Sequence, residues 1–159
     1  MKQFREAVES RDAQAMQDLL ADDVVFTSPV AFKPYPGKAI TSAILRGVLR
    51  VFEDFHYVRE INDAGGRDSA LVFEATVNGK AVTGCDFIHV NSDGKIDDFM
   101  VMVRPLSGAQ ALADAMAAQF DQIAAEAGEP DIAEIIGGAR LAADVAAVED
   151  FCAGARAAV

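Results

Sequence analysis

Apolar positions recur along this chain with two different periods, and the switch between them divides it. Up to about residue 52 the spacing is helical. Residues 3–10 read as a short helix, and Asp12 can cap a second one whose apolar face is Ala15, Met16, Leu19 and Leu20. Asp22 and Asp23 end that helix, and Val24, Val25 and Phe26 form a short strand that stops near Pro29. Residues 29–37 hold three prolines and Gly37, which predicts a stiff loop. A third helix follows from about Lys38, with Ile40, Ile44, Val48 and Phe52 on its core face.

The period then becomes two. Strands are predicted over residues 55–62, 69–77, 80–90 and 95–104, separated by turns at Ala64-Gly65-Gly66, Asn78-Gly79 and Asn91-Ser92-Asp93-Gly94. Asn78-Gly79 is the strongest hairpin signal, because both central residues of a tight turn need positive φ. Three hairpin connections in succession make an antiparallel meander. In the last strand Phe99, Val101 and Val103 share one face, and Met100 and Met102 share the other. Both faces are apolar, so one can cover a pocket while the other needs a second subunit or the C-terminal helices. Beyond Pro105, Ser107 is a plausible cap for a helix with Leu112, Met116, Phe120 and Ile123 on one side, broken at Gly128 and Pro130. A final helical stretch carries Ile132, Ile135 and Ile136, then the interruption Gly137-Gly138, then Leu141, Val145, Val148 and Cys152. These helices are expected to pack on the sheet or on a partner chain.

The predicted fold is therefore α+β: a cone-shaped, curved antiparallel sheet with N-terminal helices over its concave face, and extra C-terminal helices. Residues 1–106 form the α+β domain, and residues 107–159 form a helical extension on the same domain or on a partner subunit. A chain of 159 residues is long enough to bury a real core. Its formal net charge is −11, split as −4 up to Arg104 and −7 after it. Nucleic acid and anionic membrane surfaces are thus poor partners, since both are held by clustered Lys and Arg. Cys85 and Cys152 have no metal-like spacing and read as reduced core or interface residues. The opening Met-Lys-Gln-Phe-Arg-Glu has no apolar signal region, and no apolar run reaches the roughly 20 residues of a membrane span. A cytoplasmic protein is expected.

The order of elements resembles the nuclear transport factor two-like superfamily, most closely its SnoaL-like branch. The residues that carry the resemblance are Leu19-Leu20-Ala21-Asp22-Asp23-Val24, Pro36-Gly37, and the run GCDFIHVNSDGKIDDFMVMVRPL from Gly84 to Leu106. The resemblance covers about residues 1–120. It implies a fold and a pocket but not one chemistry, because the superfamily holds isomerases, cyclases, hydrolases, binding domains and assembly domains.

Asp86 is the first candidate for chemistry. By alternation it shares a face with Gly84, Ile88 and Val90, so its carboxyl meets apolar neighbours. Burial raises a carboxyl pKa towards the range useful for proton transfer at neutral pH. The alternative is that Asp86 accepts hydrogen bonds from backbone or a Tyr and only fixes the core. Against the ketosteroid isomerases, Asp86 falls at the oxyanion-binding acid, but their general-base Asp falls at Ser28 and their oxyanion Tyr at Phe4. In the polyketide cyclases of this branch, an Asp on the equivalent strand is the acid/base for an aldol closure, and Asp86 meets that requirement. Limonene epoxide hydrolases need an Asp–Arg–Asp set, for which Arg59 is the only mid-strand arginine on offer, with its facing open.

Ser28, Tyr35, Tyr57, Phe99 and Val101 are the predicted ligand-contacting residues. Ser28 and Tyr35 flank the proline loop at the pocket mouth, and Tyr57 shares a face with Phe55. His56 is read as a surface or interface residue, and His89 as an interface residue opposite Asp86. Glu74 is left open between burial and solvation. No phosphate-cradling glycine loop, metal-spaced cluster or nucleophile elbow is present in the sequence. The expected function is a pocket for a small hydrophobic ligand or substrate, with no cofactor and no metal. It would act as an acid/base enzyme of the cyclase, isomerase or hydrolase kind, or as a non-catalytic ligand-binding or protein-interaction domain. A homodimer is expected in each case from the apolar outer face of the last strand.

Overall fold

Local chemistry sets the first turns of the chain in the computed structural model, which describes residues 1–128. Helix α1 (Lys2–Glu9) is followed by α2 (Ala13–Leu19), whose first free N–H groups are met by Asp12: its carboxylate accepts from Ala15 N at 2.9 Å. Strand β1 (Leu20–Thr27) starts directly after α2. Asp22 and Asp23 therefore lie inside the strand and do not end the helix, their exposed side chains costing nothing on a solvated stretch. The proline loop contains a two-residue strand β2 (Tyr35–Pro36), paired antiparallel to β1. Helix α3 (Lys38–Val51) then leads into β3 (Glu53–Asn62), β4 (Asp68–Val77), β5 (Lys80–Val90) and β6 (Ile96–Arg104). The Asn78-Gly79 turn has φ of 49° and 74°, as a tight hairpin turn demands.

The six strands form one curved sheet in the order β2-β1-β6-β5-β4-β3. The meander β3–β6 is antiparallel throughout, while β1 runs parallel to β6. No hairpin joins β1 to β6, since α3 and four strands intervene, so nothing local dictates their relative direction. Helices α1 and α3 lie over the concave face. The core between them holds Phe4, Leu20, Val24, Leu71, Phe73, Val77, Ile96 and Phe99, all close to fully buried.

Helix α4 (Leu106–Ala117) follows Pro105 with no side-chain cap, so Ser107 does not play the predicted part. The apolar stripe through Leu112, Met116, Phe120 and Ile123 is carried by two helices, not one: the chain breaks at Ala118–Gln119 and resumes as α5 (Phe120–Ala127), closed by Gly128 with φ of 71°. Helix α4 packs on β4, β5, β6 and α3, and α5 packs on α3. The predicted helix over Ile132–Cys152 lies outside the described residues. None of the described helices is long and apolar enough to cross a membrane.

One glycine is indispensable to the sheet. A Cβ at Gly84 would sit 2.1 Å from Cζ of Phe73 and under 3 Å from two more of its ring atoms. Gly84→Ala is expected to lower stability by about 3 kcal/mol in urea unfolding, because the Phe73 ring is buried and packed against Phe52, Phe55 and Tyr57 and has little room to move.

Candidate active site

The concave face of the sheet and the helices over it enclose an apolar cavity of about 380 Å³, within the range of about 300–1,000 Å³ of small-molecule sites. Strands β3, β4 and β5 supply Phe55, Tyr57, Phe73 and Asp86, β6 supplies Phe99 and Val101, and α3 covers them with Ile44, Leu45, Val48 and Phe52. Aromatic packing fixes this wall. Phe55 meets Tyr57 edge-on with ring centres 4.9 Å apart and lies 5.0 Å from Phe73, and Phe99 is held edge-on between Phe4 and Phe26 at 5.3 and 5.4 Å.

Asp86 sits in this wall. It is opposite Leu71 on β4 and Val101 on β6, and only 6% of its surface is exposed. Its Oδ2 accepts a hydrogen bond from the Tyr57 hydroxyl at 2.6 Å. The two residues lie on β3 and β5, with β4 between them. Tyr57 pairs with Phe73 and Phe73 with Gly84, so the tyrosine spans two strand intervals to reach the acid. Burial pushes the Asp86 carboxyl up to about 7, and the Tyr57 hydrogen bond pulls the other way. Burial, with the neighbouring Asp86 charge and the bond to it, raises the Tyr57 hydroxyl well above its ordinary value, so Tyr57 stays a donor.

Each of the six sequence-derived site residues lines the cavity: Asp86, Ser28, Tyr35, Tyr57, Phe99 and Val101. Ser28 lies in the loop after β1, where its hydroxyl accepts from Val30 N at 3.2 Å. Tyr35 is buried on β2, stacked near Phe26 with ring centres 6.4 Å apart, and burial raises its pKa. Two further carboxylates, Glu9 and Asp114, lie at the cavity rim and are exposed. His56 is exposed, 3.8 Å from the equally exposed Glu74, which settles Glu74 as solvated. His89 faces away from Asp86 and hydrogen-bonds Asp97 at 2.6 Å, a contact that raises its pKa. Arg59 is exposed and does not line the cavity, so it forms no pair with Asp86. Among the described residues, no three His, Cys, Asp or Glu side chains gather as a metal-holding group.

Two contributions escaped the sequence reading. Arg11, with φ of 57°, turns its guanidinium onto the end of α3, donating to the carbonyls of Leu49 at 2.7 Å and Phe52 at 2.8 Å, and borders the cavity. A helix C-terminus favours a cation, but a partner 38 residues away in sequence leaves no local signal. The other is the wall built by α4 and α5, which includes Leu112, Met116 and Phe120.

The sequence profile of the SnoaL-like domain matches residues 1–99. Among solved structures, the chain is similar to a steroid delta-isomerase from Pseudomonas aeruginosa, at 43% identity and a TM-score of 0.74, over 78% of this chain and 90% of that one. It is similar at 36% identity and a TM-score of 0.71 to an uncharacterized bacterial protein with a cystatin-like fold from Silicibacter pomeroyi DSS-3, over 74% and 82% of the two chains. A provisional polyketide cyclase from Pseudomonas putida KT2440 shares the fold alone, at 19% identity and a TM-score of 0.56, over 67% and 90%. No curated protein matches the sequence.

The buried acid leaves a mark on stability. Below about pH 4 the Asp86 carboxyl is neutral in both the folded and the unfolded chain and costs nothing. Between about pH 4 and 7 the unfolded chain releases this proton and the folded chain keeps it, so stability falls as pH rises. The full difference, from an ordinary 3.8 to about 7, is on the order of 4 kcal/mol. Asp86→Asn is expected to be more stable than the parent at pH 8 and to lose much of this slope, as read by urea unfolding across the range.

Proposed function

This chain belongs to the SnoaL-like domain family of the nuclear transport factor two-like superfamily, and from that premise we propose that it binds a small hydrophobic molecule and moves a proton on it with Asp86. The observation that supports this reading is one carboxyl buried in an apolar cavity, with a pKa of about 7 and one oxygen engaged by Tyr57. Such a group is half ionised at neutral pH, so it can take a proton and give it back.

The chemistry that suits it begins at a carbon next to a carbonyl. Asp86 removes a proton there, the C–H pair passes into the enolate, and the carboxyl becomes neutral. The same acid then returns the proton, either to another carbon, which completes an isomerisation, or to the alkoxide formed when the enolate closes on a second carbonyl, which completes a cyclisation. Tyr57 is a positioning residue: it holds the carboxyl and keeps its pKa from rising further. The apolar walls keep water from the enolate. The similar protein from Pseudomonas aeruginosa is named a steroid delta-isomerase, which supports the isomerase form. By the family resemblance, Phe4 and Ser28 fall where ketosteroid isomerases have a tyrosine and an aspartate, which favours a scheme with Asp86 as the single acid/base.

The same two positions also support a second reading, a binding domain in which Asp86 only orients a ligand. The two readings part on one experiment. Asp86→Asn is expected to abolish turnover of a carbonyl substrate while the fold is kept, and the parent's rate is expected to rise with an apparent pKa of about 7 that moves upward in Tyr57→Phe. An Asp86→Asn variant with unchanged turnover removes the catalytic role. A ligand retained in native mass spectrometry that keeps its mass on incubation supports the binding domain.

The proposal extends to a homodimer through the outer face of β5 and β6. Met102 is 54% and Phe87 39% exposed there, beside half-buried Cys85 and Met100. Helix α4 packs on the cavity side, so among the described residues nothing covers this face. Sedimentation equilibrium is expected to give the dimer mass, and Met102→Glu the monomer mass. A parent that sediments only as a monomer overturns it.

A further inference from the structure

The cavity's end wall is formed by residues beyond those that match the SnoaL-like domain. Besides the packing of α4 on β4, β5, β6 and α3, two close fittings seat it. At its start, α4 rests on the sheet through Gly108, where a Cβ would lie 2.5 Å from Cγ1 of Val82 and 3.3 Å from the Ala81 carbonyl oxygen. At its far end, α5 is tied to α3. Glu126 accepts from Arg46 Nε at 2.9 Å and from Arg50 at 3.0 Å, and Gln119 accepts from Arg50 Nε at 2.5 Å. Ile123 seats against the bare backbone of Gly47 on α3, with its Cδ1 2.9 Å from where a Cβ would stand. Burial works against the charge on Glu126, but the Arg46 and Gln122 hydrogen bonds and the two guanidinium charges outweigh it and hold its pKa below the ordinary value. The tie therefore persists as an ion pair through neutral pH.

Between these fittings the wall faces the cavity with two stripes. Leu112, Met116 and Phe120 form a large one at four-residue steps, and Ala113 and Ala117 form a small one. The first is an obstruction and the second a recess. The other cavity walls are strands and helices of the core, whose rings are locked by their neighbours. Within the α4–α5 wall, Leu112 and Ala113 are buried where α4 packs on the sheet, while Met116 and Phe120, next to the break between the two helices, are half-buried.

We propose that α4–α5 is the size gauge of the cavity: Leu112, Met116 and Phe120 set the greatest length of apolar ligand that fits with its polar group at Asp86, and the Glu126 tie to Arg46 and Arg50 holds that wall in place. The substrate class is then a compact apolar carbonyl compound whose hydrocarbon end abuts α4. This rests on the pocket-binding reading above. It is independent of whether Asp86 performs catalysis.

The test uses linear methyl ketones of increasing chain length, titrated calorimetrically into the full chain at about pH 6, where the Asp86 carboxyl is mostly protonated and can donate to the carbonyl. Affinity is expected to rise about fourfold per added methylene and then to fall sharply at one length. Met116→Ala and Phe120→Ala are each expected to move that limit to longer ketones, and Ala113→Leu to shorter ones. Glu126→Gln is expected to blur the limit, so that the first excluded ketone binds again. Thermal melts confirm that each variant is folded, and the opposed directions of the alanine and leucine changes guard against a variant that is merely loosened. A limit that stays at the same length in all of the folded wall variants overturns the gauge while leaving the pocket reading standing. A parent that binds no member of the series removes both.

Discussion

A carboxyl group taken out of water and given one partner is the constraint from which the rest of this molecule can be understood. Asp86 has Leu71 and Val101 as strand neighbours and the cavity in front of it. An isolated ionised carboxylate in such a place costs far more than a small domain can spare, so the group shifts its pKa until it is neutral part of the time. The Tyr57 hydroxyl limits that shift by donating to Oδ2. Without burial the pKa would stay in the ordinary carboxylate range, and without Tyr57 it would climb higher. The value of about 7 is a balance between the two.

That balance depends on parts of the fold with no polar atom near the site. Between Tyr57 and Asp86, β4 places Phe73 edge-on to the tyrosine ring, and the Phe73 ring can sit against β5 because the residue opposite it is Gly84. Phe55 and Phe52 close around the same rings. Arg11 ties the end of α3 in place by bonding two carbonyls there, and so fixes the roof over this aromatic group. The polar pair is thus a product of packing, and the packing is set by residue volumes at particular registers.

This explains which features were legible in the sequence. The meander was readable because its turns, Asn78-Gly79 above all, carry their own chemistry, and because Gly84, Asp86 and Ile88 alternate with Cys85 and Phe87. The burial of residue 86 follows from that alternation alone, as does the cavity-facing side of Tyr57, Phe99 and Val101. The Tyr57–Asp86 bond does not follow. It depends on the register of three strands and on irregularities in β3, where pairing slips between Glu53 and His56 and again between Tyr57 and Arg59. Alternation counted along one strand cannot detect a slip against its neighbour. The direction of β1 against β6 was illegible for a related reason, since no short connection relates them. The break between α4 and α5 was hidden because Ala118 and Gln119 are ordinary helix formers, and the stripe through Met116 and Phe120 continues across the gap.

The helical wall bears on the chemistry as well as on fit. A carboxyl's pKa is raised by whatever excludes water from it, and α4–α5 closes the hollow into which Asp86 faces. The ion pairs of Glu126 with Arg46 and Arg50 are partly exposed, so each adds little to global stability. Their value is local, because they decide whether one wall of a dry cavity stays shut. A ligand that fits within the wall leaves the carboxyl desolvated, with its pKa raised as the proposed proton transfer requires. One that forces the wall outward admits water, lowers the acid's pKa and strengthens competing hydrogen bonds to solvent. On the proposed reading, size selection and the basicity of Asp86 are set by the same closure: a molecule too long for the hollow is rejected by contact, and the carboxylate it hydrates is a weaker base for taking a proton.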